Sequence, residues 1–269
     1  MTQLIWNDSG KRLFEVGVDH GVFYKTNGDG VVWNGLTSVT ESLSGGEARP
    51  YYLDGVKYLN KAAPEEFGGT INAYTFPEEF AEYDGTVELY DGFSVNQQNR
   101  KPFGLCYRTM LGNDIKGVNY GYKIHIIYNV LAAPSTKAFN SLGSNIDPLV
   151  FSWAFSTTPI TIPGLMPSAH IILDSTKVSI ALMRAVEGYL YGSPSRSSKL
   201  IPLDKLIYWF ESGGEPFEIV PHYSTGANQL VQDGLRDIIS TDVEGVYRRL
   251  PTGSRLTPTS TSGVYTLET

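Results

Sequence analysis

Four histidines, one cysteine and a few paired carboxylates are the side chains of this sequence best suited to chemistry. His20, His125, His170 and His222 lie far apart. None stands at HExxH spacing or in a short His/Cys cluster, the patterns that bring two ligands onto one ion. His125 and His170 fall in stretches that read as strands, where a histidine is expected to be satisfied by its sheet neighbours. Cys106 is the only cysteine, so an intrachain disulfide is excluded. Its own strand reads as half-buried, and it is expected to act as a small hydrophobe. No GxSxG elbow offers a serine nucleophile, and no GxxxxGK[ST] loop offers a phosphate cradle.

Carboxylates are densest at Glu65–Glu66 and at Glu78, Glu79 and Glu82. Two carboxylates across a sugar would do glycosidase work. Adjacent residues of a strand point to opposite faces, however, which makes such neighbours poor partners. They are expected on solvated surface or at subunit contacts. The segment from Thr26 to Gly35, TNGDGVVWNG, lacks the frame of an EF-hand calcium loop. Basic residues gather only as Lys11–Arg12, Arg100–Lys101, Arg196 with Lys199, and Arg248–Arg249. These are too short to track DNA and are expected as exposed charges or salt-bridge partners. No catalytic, cofactor or metal residue is therefore expected, and no enzyme.

The chain that must position these residues has 269 residues, 41% hydrophobic and 18% charged, with a net charge of -7. An acidic balance opposes tight wrapping of nucleic acid, which needs clustered Lys and Arg. Seventeen Tyr, 28 Gly and 15 Pro suit strands and turns. No signal peptide is read at the N-terminus, and no run approaches the roughly 18 apolar residues of a membrane span.

Periodicity fills in the elements. Residues 1–12 are polar and expected as a loose arm. Leu13–Lys25 is β-prone but broken at Gly17 and Gly21. The turn Thr26–Gly30 leads to a strand over Val31–Thr40, and Ser42–Gly46 reads as a loop. Tyr51–Ala62 is expected to hold short strands about an Asp54–Gly55 turn, followed by strands over Gly69–Phe76 and Thr86–Tyr90. A helical turn is expected near Glu78–Ala81. The cleanest alternation lies at 103–111, 120–130 and 151–157, with a short apolar strand at His170–Asp174. The period then changes. Val178, Leu182, Ala185, Val186 and Tyr189 mark a helix over 177–191, capped by Ser175 or Thr176. A second helix starts near Pro202, with Leu203, Leu206, Ile207 and Phe210 on one side. Together they form a helical element, 176–212, set against the sheets. The expected fold is mainly β, an antiparallel β-sandwich or barrel-like body with a flanking two-helix element. The core domain is placed at 1–215. A C-terminal segment, 216–269, is either a core strand or an external decoration, with a last strand about Val264, Tyr265 and Leu267.

Several stretches resemble the major tail tube proteins of siphophages, above all those of actinobacterial hosts. They are GVDHGVFY (Gly17–Tyr24), WNGLTSVTES (Trp33–Ser42), SGGEARPYYLDGVKYLN (Ser44–Asn60), INAYTFPEEF (Ile71–Phe80), KPFGLCYRTMLGND (Lys101–Asp114), GYKIHIIYNVLAAPS (Gly121–Ser135) and FSWAFSTTP (Phe151–Pro159). EGYLYG (Glu187–Gly192) and LIPLDKLIYWF (Leu200–Phe210) resemble them too. The resemblance runs from Gly17 to Phe210 and weakens beyond Gly213. It implies a β-sandwich core with a flanking helix, hexameric rings that stack head to tail, and a channel. The channel would hold the tape-measure protein and pass double-stranded DNA at ejection. The implied partners are further copies of the chain, the tape-measure protein, a tail terminator and distal tail proteins, in a virion tail assembled in the host cytoplasm. The resemblance carries over no catalytic or cofactor residues. A tail terminator or decoration protein is the structural alternative, and a glycan-binding module using Tyr51, Tyr52 and Trp153 is the alternative of another class. The channel wall is expected to be a strand face, neutral to acidic, supplied by either the His125 face or the Arg108 face.

Overall fold

The turn at Thr26–Gly30 folds the chain back as its Asn and Gly residues require. Gly28 sits at φ +85°, and Asp29 N–H donates to the Asn27 side chain. The turn joins β1 (Leu13–Tyr24) to β2 (Gly30–Val32), paired antiparallel. β1 is one strand and is not broken at Gly17 and Gly21. Gly17 takes a positive φ, and the register slips between Val16 and Asp19 and again before Val22, so the strand bends through bulges and continues. The strand expected over Val31–Thr40 is instead split. Trp33–Gly35 turn the chain, and β3 (Leu36–Gly45) joins the opposite end of the sheet. β3 includes Ser42, Ser44 and Gly45, which composition reads as loop. Their backbones pair with Gly68, Glu66 and Glu65 of β6 (Glu65–Ala73), so ladder pairing overrides side-chain preference.

Between β3 and β6 the chain forms β4 (Ala48–Leu53) and β5 (Val56–Ala62) around an Asp54–Gly55 turn in which both residues have positive φ. A short 3-10 turn, Glu78–Phe80, precedes the hairpin of β7 (Val87–Tyr90) and β8 (Phe93–Val95). The long pair β9 (Phe103–Asn113) and β10 (Gly117–Ala132) lies where alternation is cleanest. β11 (Phe151–Thr157) and β12 (His170–Asp174) both pair with β10, at different points along it. The computed structural model describes residues 4, 6, 8–139, 141, 148–194 and 196–211, and strands at 238–240, 247–249, 255–258 and 265–268.

The sheet order is β2-β1-β9-β10-β11-β6-β3, with β12 beside β10. Its two ends, β2 and β3, are consecutive in the chain and separated only by Trp33–Gly35. The sheet must therefore curl until its edges approach, and the Trp33 indole N–H donates to Thr75 O, just beyond β6, at 3.0 Å. Among the described residues the fold is mainly antiparallel β with two α-helices, the expected class. Its concave side holds an aromatic core of Phe23, Trp33, Phe80, Phe103 and Trp153 with Ile71, Leu105 and Ile127. Trp33 and Trp153 stand 5.8 Å apart edge to face, and Phe80 meets Trp153 at 5.3 Å.

The convex side carries the helices. α1 (Ile180–Leu190) and α2 (Leu203–Glu211) bury Leu182, Met183, Val186, Leu190, Leu203, Leu206 and Trp209 against Val22, Cys106, Ile124 and Ile126. Ser179 caps α1 by accepting from Leu182 N–H, in place of the expected Ser175 or Thr176. In α2, Phe210 is exposed and Trp209 takes its place, because Trp209 stands three residues after Leu206 on the same helix face. The chain divides into two units, Met1–Gly214 and Glu215–Thr269. The second contains the pairs β13 (Ile238–Ser240) with β14 (Tyr247–Arg249) and β15 (Arg255–Pro258) with β16 (Tyr265–Glu268). β16 takes in Tyr265 and Leu267 of the expected last strand. Val264, His222, Gly213–Gly214 and most of the mixed segment 217–239 lie outside the described residues, as does part of the arm 1–12.

Candidate functional site

The most conspicuous surface is a hairpin. Gly45 pairs with Glu65, Ala48 with Ala62 and Tyr51 with Leu59, so one register runs from β3–β6 into β4–β5. Leu36–Ala73 is thus a single long ribbon whose outer half leaves the sheet. Residues 41–54 give it a reach of up to about 40 Å at about 3.3 Å per residue. Every residue of β4 and β5 is exposed. These include Tyr51, Tyr52, Leu53, Val56, Leu59 and Tyr58, the last at 76%. A two-stranded ribbon alone is at best marginally stable in water. One with this much apolar surface is suited to being covered. The β7–β8 hairpin repeats the feature, with Leu89, Tyr90 and Phe93 exposed at its tip.

A second surface is polar. On the convex face of β3, β6 and β11, cross-strand register aligns Ser38–Asn72–Ser152, Thr40–Thr70–Ala154 and Ser42–Gly68–Ser156. Asn72 Nδ2 donates to Ser38 Oγ at 3.0 Å along it. These nine positions hold no charged residue, and the next pair, Ser44–Glu66, adds an acid. Neither of the two faces expected to supply a wall is open in the subunit. His125 points into the curled sheet and is buried, and Arg108 lies on the face that carries α1, paired with Asp19.

A third feature closes one end of the aromatic core. β10 and β12 pair so that His125 and His170 approach, and β3 brings Glu41 to both. His125 Nδ1 lies 3.1 Å from Glu41 Oε1 and 3.1 Å from His170 Nε2, and His170 Nε2 lies 3.7 Å from Glu41 Oε1. Tyr107 O–H donates to Glu41. Thr109 Oγ and a Glu15 oxygen flank His125 Nε2 at 3.2 and 3.5 Å, and Lys123 pairs with Glu15. The rings are clamped: Tyr107 stacks on His125 at 4.7 Å and Phe67 on His170 at 4.6 Å. The hydrogen bond from His125 holds the Glu41 carboxyl down at about 2, against the opposing effect of burial. Burial lowers His170 to about 4. Burial raises the Tyr107 hydroxyl, and the Glu41 charge adds to it. Burial would raise Glu15, but hydrogen bonds from Lys123 and Thr109 outweigh it and hold the group down.

Each histidine has sheet neighbours, as the sequence predicts, yet the sequence does not reveal that two of them meet. They stand 45 residues apart, and Glu41 borders a stretch that reads as loop. The one available signal was that both fall on apolar strands. His20 is separate, at positive φ with Nδ1 3.1 Å from Asp19. Cys106 is fully buried, and burial raises its thiol to about 12. Glu65 and Glu66 are both exposed. Lys101 pairs with Glu82, Lys11 with Asp8, and Lys199 with Asp29, while Arg196 lies over the Tyr189 ring. The side chains of Arg248 and Arg249 lie outside the described residues.

No family model and no curated protein matches the chain. Among solved structures, it is similar to a chain of the anti-feeding prophage baseplate, with 11% identity, a TM-score of 0.33, and coverage of 65% of this chain and 100% of that one. It is also similar to a chain of the PVC sheath-tube complex, an extracellular contractile injection system in the extended state. There the values are 16% identity, a TM-score of 0.29, and coverage of 58% and 88%. For a chain of the anti-feeding prophage tube terminating cap they are 12%, 0.30, and 65% and 97%. Scores of this size do not establish a common fold.

Proposed function

We propose that the chain is the major tail tube subunit of a long-tailed bacteriophage, a structural protein that forms stacked hexameric rings. The observation that carries this reading is the Leu36–Ala73 ribbon. Its outer half exposes Tyr51, Tyr52, Leu53, Val56, Tyr58 and Leu59, with no cover described from its own chain. Head-to-tail stacking needs a heterologous contact, one surface reaching a different surface of the next copy. A projecting ribbon with an apolar tip has that form. Neighbouring copies would cover its side chains and pair its strand edges, which would otherwise invite aggregation.

The channel wall in this reading is the β3-β6-β11 face, with Thr40, Thr70, Ala154 and their neighbours toward the lumen. Every phosphate held by a Lys or Arg adds a salt-dependent attraction. Six copies of a hydroxyl-lined, uncharged face avoid it. The channel would hold the tape-measure protein and later pass DNA, and the tube would meet a terminator and distal tail proteins at its ends. Assembly would take place in the host cytoplasm, and the chain would reside in the virion tail. Nothing in this role calls for catalysis.

Negative-stain microscopy of the purified full chain tests the reading. Open-ended tubes of indefinite length are expected. Closed single rings would assign the chain to a terminator, and persistent monomers that bind glycan would assign it to a recognition module.

A further inference from the structure

We propose that Glu41, His125 and His170 form a binding site for Zn²⁺ or a similar transition-metal ion, tying the root of the β3–β6 ribbon to the sheet wall. Three potential ligand atoms converge there, Glu41 Oε1, His125 Nδ1 (once it gives up the proton it donates to Glu41) and His170 Nε2, with separations of 3.1, 3.1 and 3.7 Å. Tetrahedral ligands about 2.0–2.1 Å from zinc stand about 3.3–3.4 Å from one another, a value these separations bracket. Two imidazole nitrogens and one carboxylate oxygen suit zinc, cobalt or nickel. Calcium and magnesium prefer all-oxygen sites. The fourth position is left for water, which reaches the site past Glu41, whose side chain is 35% exposed.

The surroundings have the form that supports ligands in metal sites. A ligating histidine generally donates its other ring N–H to a carboxylate or similar acceptor, which fixes tautomer and orientation. His125 turns Nδ1 to the site and Nε2 toward Glu15 and Thr109. Glu15 is itself held by Lys123, and Glu41 accepts from Tyr107. Stacking on Tyr107 and Phe67 fixes both imidazole planes.

Glu41 comes from a strand that the sheet does not place beside the paired strands of the two histidines. β3 is one end of the strand order, and β12 pairs only with β10 among the described strands. An ion would therefore staple the end strand to the middle of the curled sheet, at the point where the ribbon departs. Because a preformed site is absent from the unfolded chain, its binding energy would add to folding. The hydrogen-bonded proton between His125 and Glu41 is the competing occupant of the same space.

Cobalt titration of dispersed, chelator-stripped full-length protein separates the two occupants independently of tube formation. One Co²⁺ per chain is expected, with the visible absorption of a tetrahedral ion, displaced by Zn²⁺. Glu41→Gln and His170→Gln should each abolish that absorption. Glu15→Gln should keep it while weakening affinity about 10–100-fold. His125 is not used, because its replacement empties a buried position; circular dichroism checks that the other variants fold. Folded wild-type protein that gives no absorption with excess Co²⁺ would overturn the proposal. So would absorption that survives in folded Glu41→Gln and His170→Gln.

Discussion

Arg108 holds Asp19 by two parallel hydrogen bonds, Nε to Oδ1 and Nη2 to Oδ2, each 2.8 Å. The pair crosses from β9 to the bulged stretch of β1, and Arg108 also lies over the Tyr122 ring at 5.0 Å. The guanidinium holds the Asp19 carboxyl below its usual range. A lowered folded pKa means the contribution is complete above the unfolded value, about 3.9, and is lost as pH falls through the folded value beneath it. Solvent reaches Asp19, so Asp19→Asn should cost only about 1 kcal/mol at pH 7. Urea unfolding of the dispersed subunit should show that gap closing toward pH 2. A gap that stays constant from pH 7 to pH 2 would contradict the pairing.

Leu182 is buried beneath α1, while Ile180 on the same helix is exposed. Leu182→Ala should therefore destabilise by about 2–5 kcal/mol, and Ile180→Ala by no more than about 0.5 kcal/mol. Denaturant unfolding at neutral pH reads both. A Leu182→Ala cost below about 1 kcal/mol would place the helix face elsewhere.

The long alternating strands were legible because large apolar residues recur at every second position: Phe103, Leu105 and Tyr107 face the aromatic core, and so do Trp153 and Phe155. The loop reading of Ser42–Gly46 failed for a related reason. That stretch is exposed on both faces, so no hydrophobic pattern marks it, and only its pairing with Glu65–Gly68 makes it a strand. Phe210 and Trp209 were exchanged because two adjacent aromatics allow two helix phases. The meeting of His125 with His170 and Glu41 was not legible, since it depends on β12 returning to β10 across 45 residues. The neutral face was hidden for the same reason: it joins residues of β3, β6 and β11, and no single segment reads as a wall.

The exposed tyrosines of the ribbon should matter to assembly and not to the subunit. Tyr52→Ser combined with Tyr58→Ser should leave the melting temperature of the dispersed protein nearly unchanged, as expected for surface changes. The same variant should raise the concentration needed for polymerisation by more than about tenfold, the effect of losing an aromatic anchor at an interface. Light scattering against concentration measures it. Unaltered polymerisation would remove the ribbon tip from the contact.

Ala154 lies on the proposed wall, and Cys106 is buried. Ala154→Cys therefore adds an accessible thiol to a protein whose own is shielded. A small maleimide should label it in both dispersed and assembled protein. A thiol reagent too bulky to enter the channel should label dispersed subunits fully and assembled tubes only at their ends. Bulky label along the outer length of the tubes would place this face outside.

The central claim is that copies of this chain stack as rings, joined by the Leu36–Ala73 ribbon, around the β3-β6-β11 face. A cryo-electron microscopy reconstruction of the assembled protein tests it most directly. The expected map is a hollow, six-fold tube in which Tyr51–Leu59 of each subunit is buried against a neighbouring copy and Thr40, Thr70 and Ala154 line the lumen. A map in which that hairpin remains in solvent, or a preparation that yields only closed single rings, would contradict it.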